Sequence, residues 1–171
     1  ATTQTIDIAS TSANENRNIN FNINSGAYVR LINRDFELGN NAGVYVQDGA
    51  VFDFGFNGTT PLNVTISGSQ TGTVFQSLQG STLKITSVDG ITTTAGVGNV
   101  RTVVSNRVYN QTAIFHYIGK ANQVTGNGVT NGSTGKIMIC ELDNNTLTLT
   151  PSNNIAFSNS ATITAFGGRL D

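Results

Sequence analysis

The chain has 171 residues and a net charge of −1 from nine basic and ten acidic side chains; 37% of residues are hydrophobic and only 11% are charged. Low charge with many β-branched residues excludes the composition of a disordered chain, and the scattered basic residues offer a nucleic-acid backbone no electrostatic footprint. One cysteine, Cys140, and one histidine, His116, exclude an internal disulfide and a Cys/His zinc centre; no cofactor is expected, and no run of about 20 apolar residues is present to insert in a bilayer.

Glycine and asparagine clusters at short intervals, with no long helix-favouring stretch, point to an all-β chain of many strands and tight turns. Residues 1–17 hold one short alternation, Ile6-Asp7-Ile8, which is read as a lead-in or capping strand. The chain starts at Ala1 without a basic-then-apolar leader and is read as a processed or excised piece. From Asn18 to Asn24 the alternation is strict. Ile19, Phe21 and Ile23 share one face and four asparagines share the other, as in a half-buried strand.

Three stretches then share one pattern: Gly26-Ala27-Tyr28-Val29, Gly49-Ala50-Val51-Phe52 and Gly72-Thr73-Val74-Phe75, with their glycines 23 positions apart. A fixed period of this size marks a stack of repeats, each burying its apolar face on the next. Strands are expected at Tyr28–Ile32, Asp35–Leu38, Val44–Val46, Val51–Phe56, Leu62–Ile66, Val74–Leu78 and Leu83–Val88, with turns at Asn33-Arg34, Gly39-Asn40-Asn41, Asp48-Gly49, Asn57-Gly58, Ser67-Gly68 and Gln79-Gly80. Phe52, Phe54 and Phe56 are expected on the core face, opposite Asp53. Residues 18–94 thus read as a short right-handed parallel β-helix. Three repeats make a column only about 15 Å high, which calls for caps or partner chains.

Beyond Gly90 the pattern fades, and Thr92 to Asn99 has the composition of a linker. Longer strands follow at Val100–Val104, Ala113–Ile118, Lys136–Leu142, Thr146–Thr150 and Ala161–Phe166. The loops Gly126-Asn127-Gly128 and Asn131-Gly132-Ser133 read as hairpin connections. Residues 95–171 are therefore expected to form a small antiparallel β-sandwich-like C-terminal domain or a closing cap.

Phosphate-binding glycine motifs and nucleophile elbows are absent. The remaining enzymatic option is a carboxylate pair among Asp35, Glu37, Asp48 and Asp53, since glycosidases use two acids about 5–10 Å apart. The alternative is binding. Arg107, Tyr109, His116 and Tyr117 cluster in sequence and supply the stacking and hydrogen bonding that sugar recognition uses, and a subunit interface draws on the same residue types.

The Gly-Ala-x-Val-like starts, the run Asn63-Val64-Thr65-Ile66-Ser67-Gly68 and the distinct β tail after Thr94 resemble the C-terminal part of bacteriophage tailspikes and tail fibres. The resemblance implies a homotrimer with a parallel β-helix body, located in the virion tail, that binds bacterial cell-surface polysaccharide, with residues 95–171 as the C-terminal β domain for trimerisation, receptor binding or both. A bacterial surface adhesin passenger shares the same repeat physics without a trimer, and a polysaccharide depolymerase using the four acids is the further alternative.

Overall fold

The computed structural model describes residues 3–6, 18–66, 71–110, 112–128, 137–150 and 162–171, with the backbone alone at 3–6 and 162–163. The described residues form strands and turns, a single 3-10 turn at Val104–Asn106 and no α-helix. The largest sheet has seven parallel strands in the order β1 (Thr3–Ile6), β3 (Tyr28–Leu31), β6 (Val51–Asp53), β11 (Thr82–Ile85), β13 (Ile114–Tyr117), β15 (Ile137–Glu141) and β17 (Thr162–Phe166). A four-stranded parallel sheet has the order β12 (Arg107–Tyr109), β10 (Val74–Ser77), β5 (Gly43–Val46) and β2 (Asn20–Ile23).

Three smaller sheets complete the set. β4 (Phe36–Leu38) pairs in parallel with β9 (Val64–Ile66), and β14 (Gln123–Val124), β16 (Thr146–Thr148) and β18 (Arg169–Leu170) form a parallel three-stranded sheet. β7 (Phe56–Asn57) and β8 (Thr60–Pro61) form an antiparallel hairpin.

The chain visits these sheets in rotation. From β2 to β11 it passes through the four-stranded, seven-stranded and two-stranded sheets in turn, and then again, with the hairpin as an insert. On the next pass Val100 bridges Val64 in place of a strand, and β12 and β13 follow. From β13 to β18 the chain alternates between the seven-stranded and three-stranded sheets.

Alternation decides what faces inward. Val29, Leu31, Phe52, Leu83, Ile85, Phe115, Tyr117, Met138 and Cys140 on the seven-stranded sheet are buried, as are Val44, Val46 and Phe75 on the four-stranded one. Phe52 and Phe54 pack edge to face at 5.0 Å, and Phe54 stacks on Phe75 at 6.1 Å. The thiol of Cys140 is part of this core, as expected of a lone cysteine in an apolar run.

The 23-residue period holds once in the predicted place. Tyr28 pairs with Val51, 23 positions on, but Val51 pairs with Thr82, 31 on, and Thr82 with Ile114, 32 on. Register then returns to 23 between Ile114 and Ile137 and 25 between Ile137 and Thr162. The β7–β8 hairpin lies within the first lengthened interval, so the third glycine motif is out of phase: Val74 pairs with Gly43 in the other sheet. The residue that follows Gly26 and Gly49 in the stack is Gly80. All three have positive φ (76°, 66° and 63°), and the Gly49 N–H donates to the Gly80 carbonyl at 3.3 Å.

Three further expectations need correction. Residues 95–171 do not pair as an antiparallel sandwich among the described residues: β13, β15 and β17 extend the parallel sheet of β3, β6 and β11. The glycines at 126 and 128 allow close backbone approach rather than a hairpin, since Gly128 N–H donates to Ile91 O at 2.8 Å and Asn127 Oδ1 accepts from Thr93 N–H at 2.7 Å. Nor does the linker-like stretch separate two bodies of structure at Asn99. This side chain is wholly buried, its Oδ1 accepting from Thr86 and Ser87 N–H at 2.9 and 2.8 Å and its Nδ2 donating to Leu62 O at 2.8 Å. Ile8, Ser67-Gly68 and Asn131-Gly132-Ser133 lie outside the described residues.

Candidate functional site on the outer sheet face

Residues alternating with the core row of the seven-stranded sheet point outward, and parallel register lines them up across strands. Arg30, Asp53, Lys84 and His116 are successive register partners on β3, β6, β11 and β13. Tyr28 lies two residues before Arg30 on the same face, and Glu141 follows two residues after Ile139, the β15 partner of His116.

Asp53 anchors this row. Its side chain is wholly enclosed although it sits on the outer face, because neighbouring side chains close over it. The carboxylate accepts from Tyr28 Oη at 2.5 Å, from Arg30 Nε at 2.8 Å and Nη2 at 2.7 Å, and from Gly55 N–H at 2.8 Å. The phenol of Tyr28 is pushed up to about 12 by burial and by its bond to the Asp53 carboxylate, so it stays protonated as a donor.

Gly55 shapes the neighbouring groove. Its φ of +63° and an added Cβ only 2.2 Å from Leu31 O restrict this position to glycine. The turn it makes brings Phe56 out of the core row, correcting the expectation that Phe52, Phe54 and Phe56 share one face. Arg30, Ile32, Asp53, Phe56, Ile118 and Lys120 line a groove of about 370 Å³ here. Lys120 Nζ lies 4.6 Å from the Phe56 ring centre and donates to Gly58 O at 2.8 Å; Lys84 Nζ lies 5.5 Å from the Tyr28 ring centre.

Charge on this face is unevenly balanced. Asp53 is committed to Arg30, and Glu141 Oε2 lies 2.7 Å from His116 Nε2. Among the described residues neither Lys84 nor Lys120 has a carboxylate partner. His116 is held below the usual imidazole range by burial, with the Lys84 charge acting in the same direction and Glu141 opposing it. The arrangement therefore presents two aromatic rings beside two ammonium groups that have no carboxylate partner among the described residues, with Glu141 as a further anion on the same face.

The residues singled out from sequence divide by face. His116 is on this outer face, but its neighbour Tyr117 points the opposite way, is fully buried and donates to Thr125 O at 3.0 Å. Tyr109 packs against the core, and its buried hydroxyl has no hydrogen-bond partner among the described residues. Arg107 belongs to the four-stranded sheet, where its guanidinium donates to the carbonyls of Thr92 and Thr102. These four do not form one site.

The acids are similarly spread. Glu37 lies in β4 and Asp35 immediately precedes that strand, with Asp35 Oδ1 accepting from Asn63 N–H at 2.9 Å; Asp48 is exposed in the turn before β6; and Asp53 is enclosed. Among the described residues no group of three or more His, Cys, Asp or Glu side chains converges as metal ligands do. Lys84, Lys120, Tyr28, Phe56 and Glu141 were missed. Alternation within Thr82-Leu83-Lys84-Ile85 places Lys84 outward, but no local pattern brings Lys120 to Phe56, 64 positions earlier.

No protein-family model matches the chain, and no curated protein or solved structure gives a significant match.

Proposed function

We propose that this chain is a structural and glycan-binding segment of the phage tailspike or tail-fibre type, built as a right-handed parallel β-helix and working in a homotrimer at the host surface. The β-helical reading is supported by the rotation of the chain through the same sheets and by matched offsets. Asn20 to Gly43 and Gly43 to Val74 span 23 and 31 positions in the four-stranded sheet, as Tyr28 to Val51 and Val51 to Thr82 do in the seven-stranded one. Right-handedness follows from the strong preference of parallel crossovers.

The observation that carries the binding role is the outward pairing of Lys84 with Tyr28 and of Lys120 with Phe56 beside the groove. Aromatic faces stack on sugar rings, and ammonium groups without a carboxylate partner favour acidic sugars. Asp53 serves as an anchor for Arg30 and Tyr28 rather than as a catalytic acid, because its side chain is fully enclosed and its oxygens accept from Tyr28, Arg30 and Gly55.

A glycan array probed with the purified chain tests the reading. Retention on acidic bacterial polysaccharides over neutral ones is expected; equal retention on both, or on neither, contradicts it. Sedimentation tests the trimer, and a monomer at every concentration excludes it.

A further inference from the structure

A second feature lies away from the outer face, at the last strand of the four-stranded sheet. Register places Phe21, Val44, Phe75 and Arg107 in one row across β2, β5, β10 and β12. Val44 and Phe75 are fully buried, and Phe21 packs against the core, so the row is apolar until its final member is a cation. Such a position is costly for a charge unless it is bonded and balanced.

The bonding is partial. Arg107 Nε and Nη2 donate to Thr102 O at 3.1 and 2.5 Å, and Nη1 donates to Thr92 O at 2.6 Å. Three of the five N–H groups are thereby used, leaving one on each terminal nitrogen. Among the described residues no carboxylate pairs with Arg107. The same side chain lines a pocket of about 180 Å³ with Thr92, Thr93, Val104, Tyr109 and Gly128.

We infer that this pocket binds a small organic carboxylate, of at most monosaccharide size, through the remaining N–H groups of Arg107. Two N–H donors on one guanidinium match the two oxygens of a carboxylate, and the bound anion supplies the missing counter-charge. The Tyr109 ring and the Val104 side chain form apolar wall, which suits a compact acid better than a hydrated inorganic ion. The volume lies below that of drug-sized ligand sites, so a single sugar acid is the upper limit. The carboxylate is either free in solution or carried by a polysaccharide, and the two sources are separable.

Calorimetric titration of the full chain with D-glucuronate, D-glucose and polygalacturonate makes the test. Glucuronate or polygalacturonate is expected to bind at least about tenfold more tightly than glucose, and Arg107→Lys to lose about tenfold by removing the two-pronged contact. Val104→Phe fills the pocket from its exposed wall without altering Arg107, and is expected to abolish binding in a chain whose circular dichroism is unchanged. Binding of glucuronate locates a free acid; binding of polygalacturonate alone, lost in Val104→Phe, locates an acid within a polymer. Glucuronate binding that survives Val104→Phe overturns the pocket assignment, as does failure of both acids to bind or binding of polygalacturonate alone that Val104→Phe leaves intact, which belongs to the outer sheet face.

Discussion

Arg30 and Asp53 stand 23 positions apart in sequence, side by side in adjacent parallel strands, with Arg30 Nη2 2.7 Å from Asp53 Oδ2. The pair is lopsided: the arginine side chain is 44% exposed and the aspartate is fully enclosed. Removing the exposed partner therefore strands a buried charge, whereas neutralising the buried one does not. Arg30→Ala is expected to destabilise the chain by about 2–3 kcal/mol and Asp53→Asn by about 1–2 kcal/mol, the order set by the cost of an uncompensated buried ion. Urea unfolding of the two variants checks the order; equal losses contradict it.

Asn99 makes a second test, of continuity across the middle of the chain. Its amide ties the Leu62 carbonyl to the Thr86 and Ser87 N–H groups inside the protein. Asn99→Ala is expected to cost about 2–4 kcal/mol, because several buried backbone groups lose partners at once. A loss under about 0.5 kcal/mol, the range of ordinary surface substitutions, contradicts the assignment.

His116 is the only histidine, so its imidazole resonance can be followed alone. Burial is the largest cause of its lowered pKa, with Lys84 adding to the shift and Glu141 opposing it. Glu141→Gln is expected to lower the value further and Lys84→Met to raise it. Because the folded pKa lies below the ordinary 6.5, the folded state binds the proton less well than the unfolded chain. The associated stability is present above pH 6.5 and is lost as pH falls through the folded value. Thermal unfolding from pH 8 to 5 should therefore decline less for His116→Gln than for the parent chain.

The two core tyrosines should behave in opposite ways. Tyr117→Phe removes a buried bond to Thr125 O and is expected to cost about 1–1.5 kcal/mol, whereas Tyr109→Phe removes a buried hydroxyl that has no partner among the described residues and is expected to be neutral or stabilising. Neither should alter binding at the outer face. Chemical denaturation separates them, and a larger loss for Tyr109→Phe than for Tyr117→Phe contradicts the placement.

Sequence alternation located most strands and core residues, because a period of two is a local property. Val29, Phe52, Leu83 and Phe115 were legible in this way. Register between distant strands was not, because it depends on the length of what lies between them. The Phe56–Pro61 hairpin lengthened one interval to 31 and moved Gly72 out of phase, while the less conspicuous Gly80-Ser81-Thr82-Leu83 took the expected place. The same long-range register assembles Arg30, Asp53, Lys84 and His116. Tyr117 was misplaced for a simpler reason: it neighbours His116 in sequence and so faces the other way.

The central claim is that Lys84 and Lys120 hold an acidic glycan on the outer sheet face, and calorimetric titration with the acidic polysaccharide retained most strongly on the array tests it most directly. The Lys84→Ala, Lys120→Ala double variant is expected to bind at least about tenfold more weakly, and the parent chain to weaken as salt rises, because the contact is electrostatic and exposed. Binding unchanged in the double variant and insensitive to salt would contradict the account.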